Sequence, residues 1–429
     1  MASIRELSEE HWAGRGDLVH EHHPVHSRFP WGEEVAEGVL VYVSIASANT
    51  LDTGDGLVML DTGGQFDADP LHAEVRKWRP KDRLAAAVFS HHHIDHVYGT
   101  APFEREAADQ GHAPPVVYGH ADLDTNFDRY RRTQGWNTAI NVRQFGLADI
   151  PFTFPSEFRS PDVAYRDRLT FRQGELTFEL RHALGETDDA TWTWVPERKV
   201  LHPGDLFIWA VPNAGNPQKV QRYVGEWATA LREMAALGAE VMLAGHGLPL
   251  LGADRIRSAL LDTAELLESL ETQTLALMNS GASLDTVLHE VTVPEALTDR
   301  PYLQAVYDHP QFVVRNVWRR FGGWHDGEPD NLLPAPRSDL AAEWVALAGG
   351  SQPVLDRARA LADRGDLRLA CHLVEYAVLA EPSAEGVHAL RAEIYERRSE
   401  GETSSMARNL LAHAARSSKE SRRDLAGNW

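Results

Sequence analysis

Within six residues the chain reads His91-x-His93-x-Asp95-His96, imidazole and carboxylate donors packed at one- and two-residue spacing. Such nitrogen and oxygen ligands suit zinc, manganese or iron. At the end of a strand, this spacing turns His91 and His93 toward one metal and the Asp95/His96 pair toward a second. The competing reading is an exposed histidine-rich loop, or a buried imidazole satisfied by its neighbours. The strand-like run directly upstream and the aspartate inside the pattern favour metal. His92 points away from its neighbours on an extended segment and reads as a supporting or solvated side chain.

Four strand-like runs each lead into residues of this kind. Leu84–Ser90 enters the histidine cluster. Leu176–His182 leads to Ala183-Leu-Gly-Glu-Thr187, Lys199–His202 to Pro203-Gly-Asp-Leu206, and Glu240–Leu243 to Ala244-Gly-His-Gly247. Polar residues gathered at strand ends are what an active site on the rim of a sheet requires. Gly38–Gly63 reads as two strands around the turn Thr53-Gly-Asp-Gly56, the second ending in Asp61-Thr62-Gly63. A helix near Pro70–Trp78 follows.

After Pro249 the apolar residues take helical spacing over Ala253–Ser280, and residues 281–325 read as a mixed helical extension. A Pro/Gly/Asp-rich hinge, Asp326–Pro336, precedes consecutive amphipathic helices over Asp339–Arg416. Breaks at Gly349-Gly350, Arg364–Asp366, Glu381-Pro382 and Gly401 separate them, like helical-repeat hairpins too few for a solenoid. The expected division is a catalytic domain over 1–335 (core about 18–252, helical extension 253–335), an all-α domain over 336–417 and a frayed tail over 418–429.

Composition narrows the classes. The chain has 429 residues, 43% hydrophobic and 24% charged, which excludes wholesale disorder. Forty-two basic against 63 acidic residues give 42 − 63 = −21, a surface that repels nucleic acid and anionic membrane. No apolar run reaches the ~18 residues of a membrane span, and Met1 to Asp17 shows no apolar leader. One cysteine, Cys371, excludes an internal disulfide and fits the cytoplasm.

His-x-His-x-Asp-His after a strand, with Asp61-Thr62-Gly63 upstream, resembles the metallo-β-lactamase superfamily. The resemblance implies an α/β chain, an αββα sandwich with a dinuclear site on one edge. Most members follow with His-x-x-Gly-His-Thr; here the stretch is His182-Ala-Leu-Gly-Glu186-Thr187. Glutamate at that position resembles the alkylsulfatase branch, which usually bridges its metals with a second glutamate where this chain has Asp205. Gly245-His246-Gly247 matches the final histidine. Trp318-Arg-Arg-Phe-Gly-Gly-Trp-His-Asp-Gly-Glu-Pro-Asp-Asn-Leu332 resembles that branch's Gly-Trp-x-Asp-Gly-x-Pro-x-x-Leu segment, and the helices after Asp339 resemble its dimerisation domain. Asn141-x-Arg143 before Phe145-Gly146 is similar to its Asn-x-x-x-Arg-Arg region.

By that resemblance His91, His93 and Glu186 bind one metal, Asp95, His96 and His246 the other, and Asp205 bridges them. Asp61 is expected to orient a ligand histidine. The implied enzyme is a dinuclear-metal hydrolase, with two divalent ions (zinc first, manganese or iron open) and a metal-bridged hydroxide attacking an ester. An anionic alkyl or aryl sulfate is the expected substrate, cleaved to sulfate and an alcohol. Another ester, lactone or phosphoester, or oxygen chemistry at iron or manganese, stays open, because three carboxylates among seven ligands make a hard site.

The branch holds sulfate with an arginine beyond the bridging carboxylate and with a histidine upstream of Gly-Trp. Here Pro212–Lys219 contains no arginine before Arg222, and Phe312 stands where the histidine is expected; Lys219, Arg222 and His309 are the substitutes. The catalytic candidates are therefore Asp95, Asp205, Lys219 and His309. The substrate-binding candidates are Asn141, Arg143, Asn213, Lys219, Arg222 and Arg315. A homodimer through the C-terminal helices is implied, with no nucleic-acid or membrane partner.

Overall fold

The computed structural model describes residues 3–15, Val25 and 31–426. Part of the Met1 to Asp17 stretch, the start of the core near residue 18 and the end of the 418–429 tail lie outside the described residues. In chain order the first elements are α1 (Ile4–Trp12), β1 (Trp31–Ala36), β2 (Val39–Val43), β3 (Ala48–Asp52) and β4 (Leu57–Leu60). Then come α2 (Ala68–Trp78), β5 (Leu84–Val88), α3 (Ala101–Gln110), β6 (Val116–His120), α4 (Leu123–Arg132) and α5 (Gln134–Gln144). The second half of the sandwich comprises β7 (Val163–Tyr165), β8 (Arg168–Gln173), β9 (Leu176–Ala183), β10 (Ala190–Val195), β11 (Val200–Ile208), α6 (Val224–Ala235), β12 (Val241–His246) and β13 (Leu250–Leu251). Helices α7 (Ala253–Asn279), α8 (Leu284–Glu290), α9 (Pro310–Gly322), α10 (Arg337–Leu347), α11 (Ser351–Asp363), α12 (Leu367–Ala380), α13 (Val387–Glu400) and α14 (Ser405–Lys419) complete the chain.

Two compact units result. The first takes the described residues of Met1–Arg132 together with Pro155–Gly323, and the second takes Thr133–Phe154 with the chain from Trp324 onward. In the first, a seven-stranded sheet runs β1-β2-β3-β4-β5-β6-β7 and a six-stranded sheet runs β13-β12-β11-β10-β9-β8. Strands β4 to β7 are parallel, as are β11 and β12; the other pairs are antiparallel.

The alternation of a strand explains the layering. In β2, Val39, Val41 and Val43 enter the core shared by both sheets, with Leu180, Trp192 and Leu201. Leu40 and Tyr42 point the other way, into a second core with Leu71, Val75, Phe103 and Phe127 of α2 to α4. A strand covered on both faces needs an unbroken apolar run, and each buried branched side chain contributes ~1.5–3 kcal/mol. Helices α6 and α7 cover the second sheet, giving αββα.

Two expectations change. The stretch Gly38–Gly63 holds three strands, because β3 pairs with β2 on one side and β4 on the other. Its Asn49 and Thr50 are buried although polar, so hydropathy does not mark it. Strand β11 does not stop at His202 but continues through Asp205 to Ile208, with register shifts on both sides of Gly204. Pro203 lacks an N–H and Gly204 takes φ +54°, so the strand bulges and re-aims the next side chain.

In the second unit, α10 to α14 form antiparallel pairs around Val354, Leu361, Val374 and Ile394, and their ends fall at the expected glycine and proline breaks. Helix α5 joins this unit, with Asn409 Nδ2 donating to the Gln144 carbonyl at 2.7 Å. The chain after Lys419 is not frayed up to Ala426: Asp424 accepts from Arg143 at 2.6 Å and pairs with His413 at 2.8 Å. Among the described residues no helix is long and apolar enough to cross a membrane.

Candidate metal centre

The ends of β4, β5, β9 and β12 and the bulge of β11 meet at one rim of the sandwich. His91, His93, Glu186 and Asp205 form one group of donors and Asp95, His96 and His246 another, with the atoms of each group within 4.8 Å of one another. Asp205 stands between them. Its Oδ1 is 3.4 Å from His96 Nε2, and its Oδ2 is 3.2 Å from His246 Nε2 and 3.7 Å from His91 Nε2. His91 Nε2 and His93 Nδ1 are 2.8 Å apart, and Asp95 Oδ2 lies 3.5 Å from His246 Nε2. Gly245 makes room for this: a Cβ there would meet Asp205 Oδ1 at 2.2 Å.

Three of the four donor imidazoles, His91, His96 and His246, are oriented from behind. Asp61, at φ +53°, lies 2.8 Å from His96 Nδ1 and accepts from the Ser90 amide and hydroxyl, both at 2.7 Å. Ser90 Oγ in turn lies 2.9 Å from His91 Nδ1, and the Ile45 carbonyl lies 2.5 Å from His246 Nδ1. Acceptors at Nδ1 leave the Nε2 lone pairs directed inward. His202 reaches Asp61 at 3.2 Å and the Leu243 carbonyl at 2.8 Å, so it supports and does not ligate. His92, with Asp189 at 2.9 Å and Arg129 at 2.9 Å, is a buried brace. Together with Asp188 it makes a third donor group, which these hydrogen bonds already satisfy.

Glu186 is held by Arg222 Nη1 at 2.8 Å and by the Asn213 side-chain amide. The Arg222 guanidinium is 1% exposed and also donates to the carbonyls of Asn213 and Glu186 at 2.8 and 3.1 Å.

Burial and charge divide the donors. Burial pushes His91 down to about 4 and His93 well below the usual range. Burial opposes charge on His96 and His246 too. Asp205, with Asp61 and Asp95 beside His96, nevertheless holds His96 well above its usual value, and Asp205 and Asp95 hold His246 up at about 9. Burial likewise works against the Asp205 carboxylate, yet His246, His96 and His91 keep it well below the usual range. Burial raises Glu186 to about 8 despite Arg222. The site thus attracts positive charge, and a cation entering it competes with protons.

The donors fit divalent metal. His96 Nε2, Glu186 Oε2 and Asp205 Oδ1 are buried without a hydrogen bond. Buried polar atoms rarely stay unsatisfied, and three such atoms in one imidazole–carboxylate cluster are ligand positions. Asp95, His93 and His246, with side chains 30%, 19% and 15% exposed, form the open side.

Other expected residues scatter. Half-buried Lys219 feels the charges of Asp95 and Glu186, while burial and Arg222 push it down to about 8. His309 caps α9, its Nδ1 accepting from the Gln311 amide at 3.1 Å. Asp308 accepts from the Gly215 amide at 2.7 Å and so ties the 212–219 loop to the start of α9. Arg222 and Asn213, expected on substrate, instead hold Glu186, because a guanidinium buried beside a carboxylate must pair with it. Arg315 is exposed on α9. Asn141 and Arg143 lie in the helical unit, where Asn141 donates to the Asn137 carbonyl and Arg143 pairs with Asp424.

The sequence had not marked Ser90, the Ile45 carbonyl or Tyr307. The Tyr307 phenol is raised by burial and by the charges of Glu186 and Asp95. Nothing in its flanking residues distinguishes it from a core tyrosine.

Two family models match this chain: metallo-beta-lactamase superfamily over residues 41–246, and alkyl sulfatase dimerisation over residues 283–421. A linear primary-alkylsulfatase of a Pseudomonas sp. strain is 25% identical over 81% of this chain and 69% of its own length. An (R)-specific secondary-alkylsulfatase of Pseudomonas sp. is 28% identical over 82% of this chain and 56% of its own. This chain therefore spans between half and about two-thirds of such relatives. The solved structure of the stereoselective inverting sec-alkylsulfatase Pisa1 from Pseudomonas sp. matches with a TM-score of 0.81, at 24% identity, over 92% of this chain and 66% of that one. That likeness carries the fold, sandwich and helical domain alike. The chain accordingly joins a metallo-β-lactamase superfamily domain, over residues 41–246, to an alkyl sulfatase dimerisation domain, over residues 283–421.

Proposed function

We propose that this protein is a dinuclear-metal sulfuric ester hydrolase of the alkylsulfatase type, working as a homodimer through its helical domain. The observation that carries the reading is two donor groups joined by Asp205 at 3.2–3.7 Å. His91, His93 and Glu186 would hold one ion, Asp95, His96 and His246 the other, with Asp205 between; imidazole-rich ligation favours zinc. Two divalent cations there supply a water of lowered pKa and a positive clamp for an oxyanion.

The protein's own residues do the rest. Three carboxylates and one hydroxide against two dications would leave the centre neutral, so a singly charged sulfate monoester meets less opposition there than a phosphate dianion. Lys219 adds a cation on the side of Asp95 and Glu186 and is proposed to bind the ester's charged oxygens. His309 and Lys219 are the candidates for protonating the departing oxygen. Names of the relatives support an alkyl sulfate as substrate, and buried Cys371 supports a reducing compartment.

The test is a substrate panel of linear and secondary alkyl sulfates, aryl sulfates, phosphoesters and lactones, turned over in heavy-oxygen water. Label in sulfate reports S–O cleavage; label in the alcohol reports C–O cleavage, and the configuration of a secondary alcohol product then reports inversion. Turnover of phosphoesters or lactones above all sulfates would overturn the assignment.

Lys219 gives a pH signature. An ammonium near 8 is charged below that pH and loses its attraction for anions above it. Metal on Asp95 and Glu186 would remove the charges that raise Lys219, so we expect kcat/KM for an alkyl sulfate to fall on the alkaline side with an apparent pKa no higher than about 8, and Lys219→Met to remove that limb. kcat/KM reports the free enzyme, so an unchanged limb in the variant assigns it elsewhere.

A further inference from the structure

A cavity of about 590 Å³ opens in the helical unit among α12, α13 and α14, well within the ~300–1,000 Å³ of small-molecule sites. Guanidinium groups of Arg143, Arg337, Arg391, Arg398 and Arg423 line it. Two carboxylates on the wall answer them. Asp424 takes Arg143 and Glu375 takes Arg391, each at 2.6 Å. Five cations against two anions leave 5 − 2 = 3 positive charges on the wall. Arg423 is 4.0 Å from Glu375, Arg398 is 3.7 Å from Glu402, and Arg337 pairs with no carboxylate among the described residues. This surplus sits in a chain whose formal net charge is −21.

The donors are also poorly satisfied. Arg391 is 4% exposed; its Nε and Nη1 serve Glu375, the Ala414 carbonyl and Ser418 Oγ, while its Nη2 makes no hydrogen bond among the described residues. Arg398 Nε is buried without a hydrogen bond, 3.7 Å from the nearest carboxylate, Glu402. Unsatisfied buried donors are rare, and surplus guanidinium forks are the side chains that bind phosphate and sulfate. Beside them, Tyr376, Tyr395, Leu410 and Ala414 give the cavity an aromatic and apolar part, with Arg391 4.9 Å from the Tyr395 ring centroid.

We propose that this cavity binds a small organic oxyanion, a phosphate or sulfate head held by Arg391, Arg398 and Arg423 and an organic body against Tyr376 and Leu410. The lining lies wholly in the helical unit, whereas every metal donor belongs to the sandwich unit. A bare ion would leave most of the volume unfilled; an ester or phosphonate of modest size fills it.

Cys371, the one thiol of the chain, lines the cavity and is 3% exposed, so its alkylation requires local opening of the cavity wall, which a bound anion suppresses. The experiment follows alkylation of Cys371 by N-ethylmaleimide in the intact metal-loaded protein. Phenyl phosphate, inorganic phosphate, inorganic sulfate and potassium chloride at matched ionic strength are compared. We expect saturable protection by phenyl phosphate, weaker protection by the inorganic ions and none from chloride. Arg398→Gln with Arg423→Gln, both partly exposed, should weaken phenyl phosphate about tenfold, ~1.4 kcal/mol, without changing basal ester hydrolysis. Arg337→Gln, at the exposed start of α10, should weaken it less and guards against a folding defect in the double variant. Equal protection by all the salts overturns the proposal, as does protection undiminished in both variants. Protection by inorganic ions alone removes the organic body, and protection that follows protein concentration identifies a face between copies instead. The readout is not turnover, so a failure of the sulfatase reading leaves it intact.

Discussion

Asp205→Asn is expected to lower ester turnover on the order of 10³-fold, ~4 kcal/mol of transition-state stabilisation, and to reduce bound metal from two ions per chain to one or none. Asparagine keeps the shape of aspartate but removes its charge. Among the described residues, Asp205 is the one side chain within 3.7 Å of ligand nitrogens from both groups. Its negative charge also sustains His96 and His246, so its loss shifts both groups together. Elemental analysis after purification without chelator measures the stoichiometry, and a thermal melt with chelator separates lost metal from lost fold. Two full equivalents of metal in the variant, with normal turnover, would remove Asp205 from the centre.

Arg222→Met carries the second large effect. The pair it forms with Glu186 is almost fully buried, with side chains 2% and 3% exposed. Above about pH 8, where Glu186 is ionised, removing one partner of such a pair costs about 3–5 kcal/mol, because the other charge stays buried and uncompensated. Glu186 already stands near 8, above its unfolded value of ~4.3. Its ionisation therefore opposes folding, and the opposition grows as pH rises from ~4.3 through 8. Without Arg222 the folded-state value climbs further. In chelator, the variant's stability deficit should accordingly be small at low pH and larger at high pH.

Metal affinity should fall ~10–100-fold, the usual cost of losing a group that orients a ligand. Adding Glu186→Gln to Arg222→Met should recover much of the stability and none of the metal affinity. Denaturant melts of the two single variants and the double give the coupling. Additive losses would mean that the two side chains do not act as a pair.

Much of this was legible in the chain itself. His91, His93, Asp95 and His96 stood out because β5 is apolar along its whole length, so polar residues mark where it ends, whereas Glu186, Asp205 and His246 were picked out by resemblance. The helices after Asp339 were readable because glycine and proline mark their breaks. Strand β3 was hidden by Asn49 and Thr50, whose burial depends on ladders from both neighbours. The continuation of β11 through Asp205 was hidden because its bulge arises from pairing, not composition.

The jobs of the arginines lay beyond sequence. Arg222 was read as a hand for substrate, and packing turned it toward Glu186. Arg143 was read as a substrate contact, and the fold pairs it with Asp424 in the helical unit. Donor type and spacing are chemical properties of neighbouring residues, so the linear chain determines them. Which anion a long, flexible guanidinium meets depends on backbone brought together from distant segments, and only the folded structure decides that.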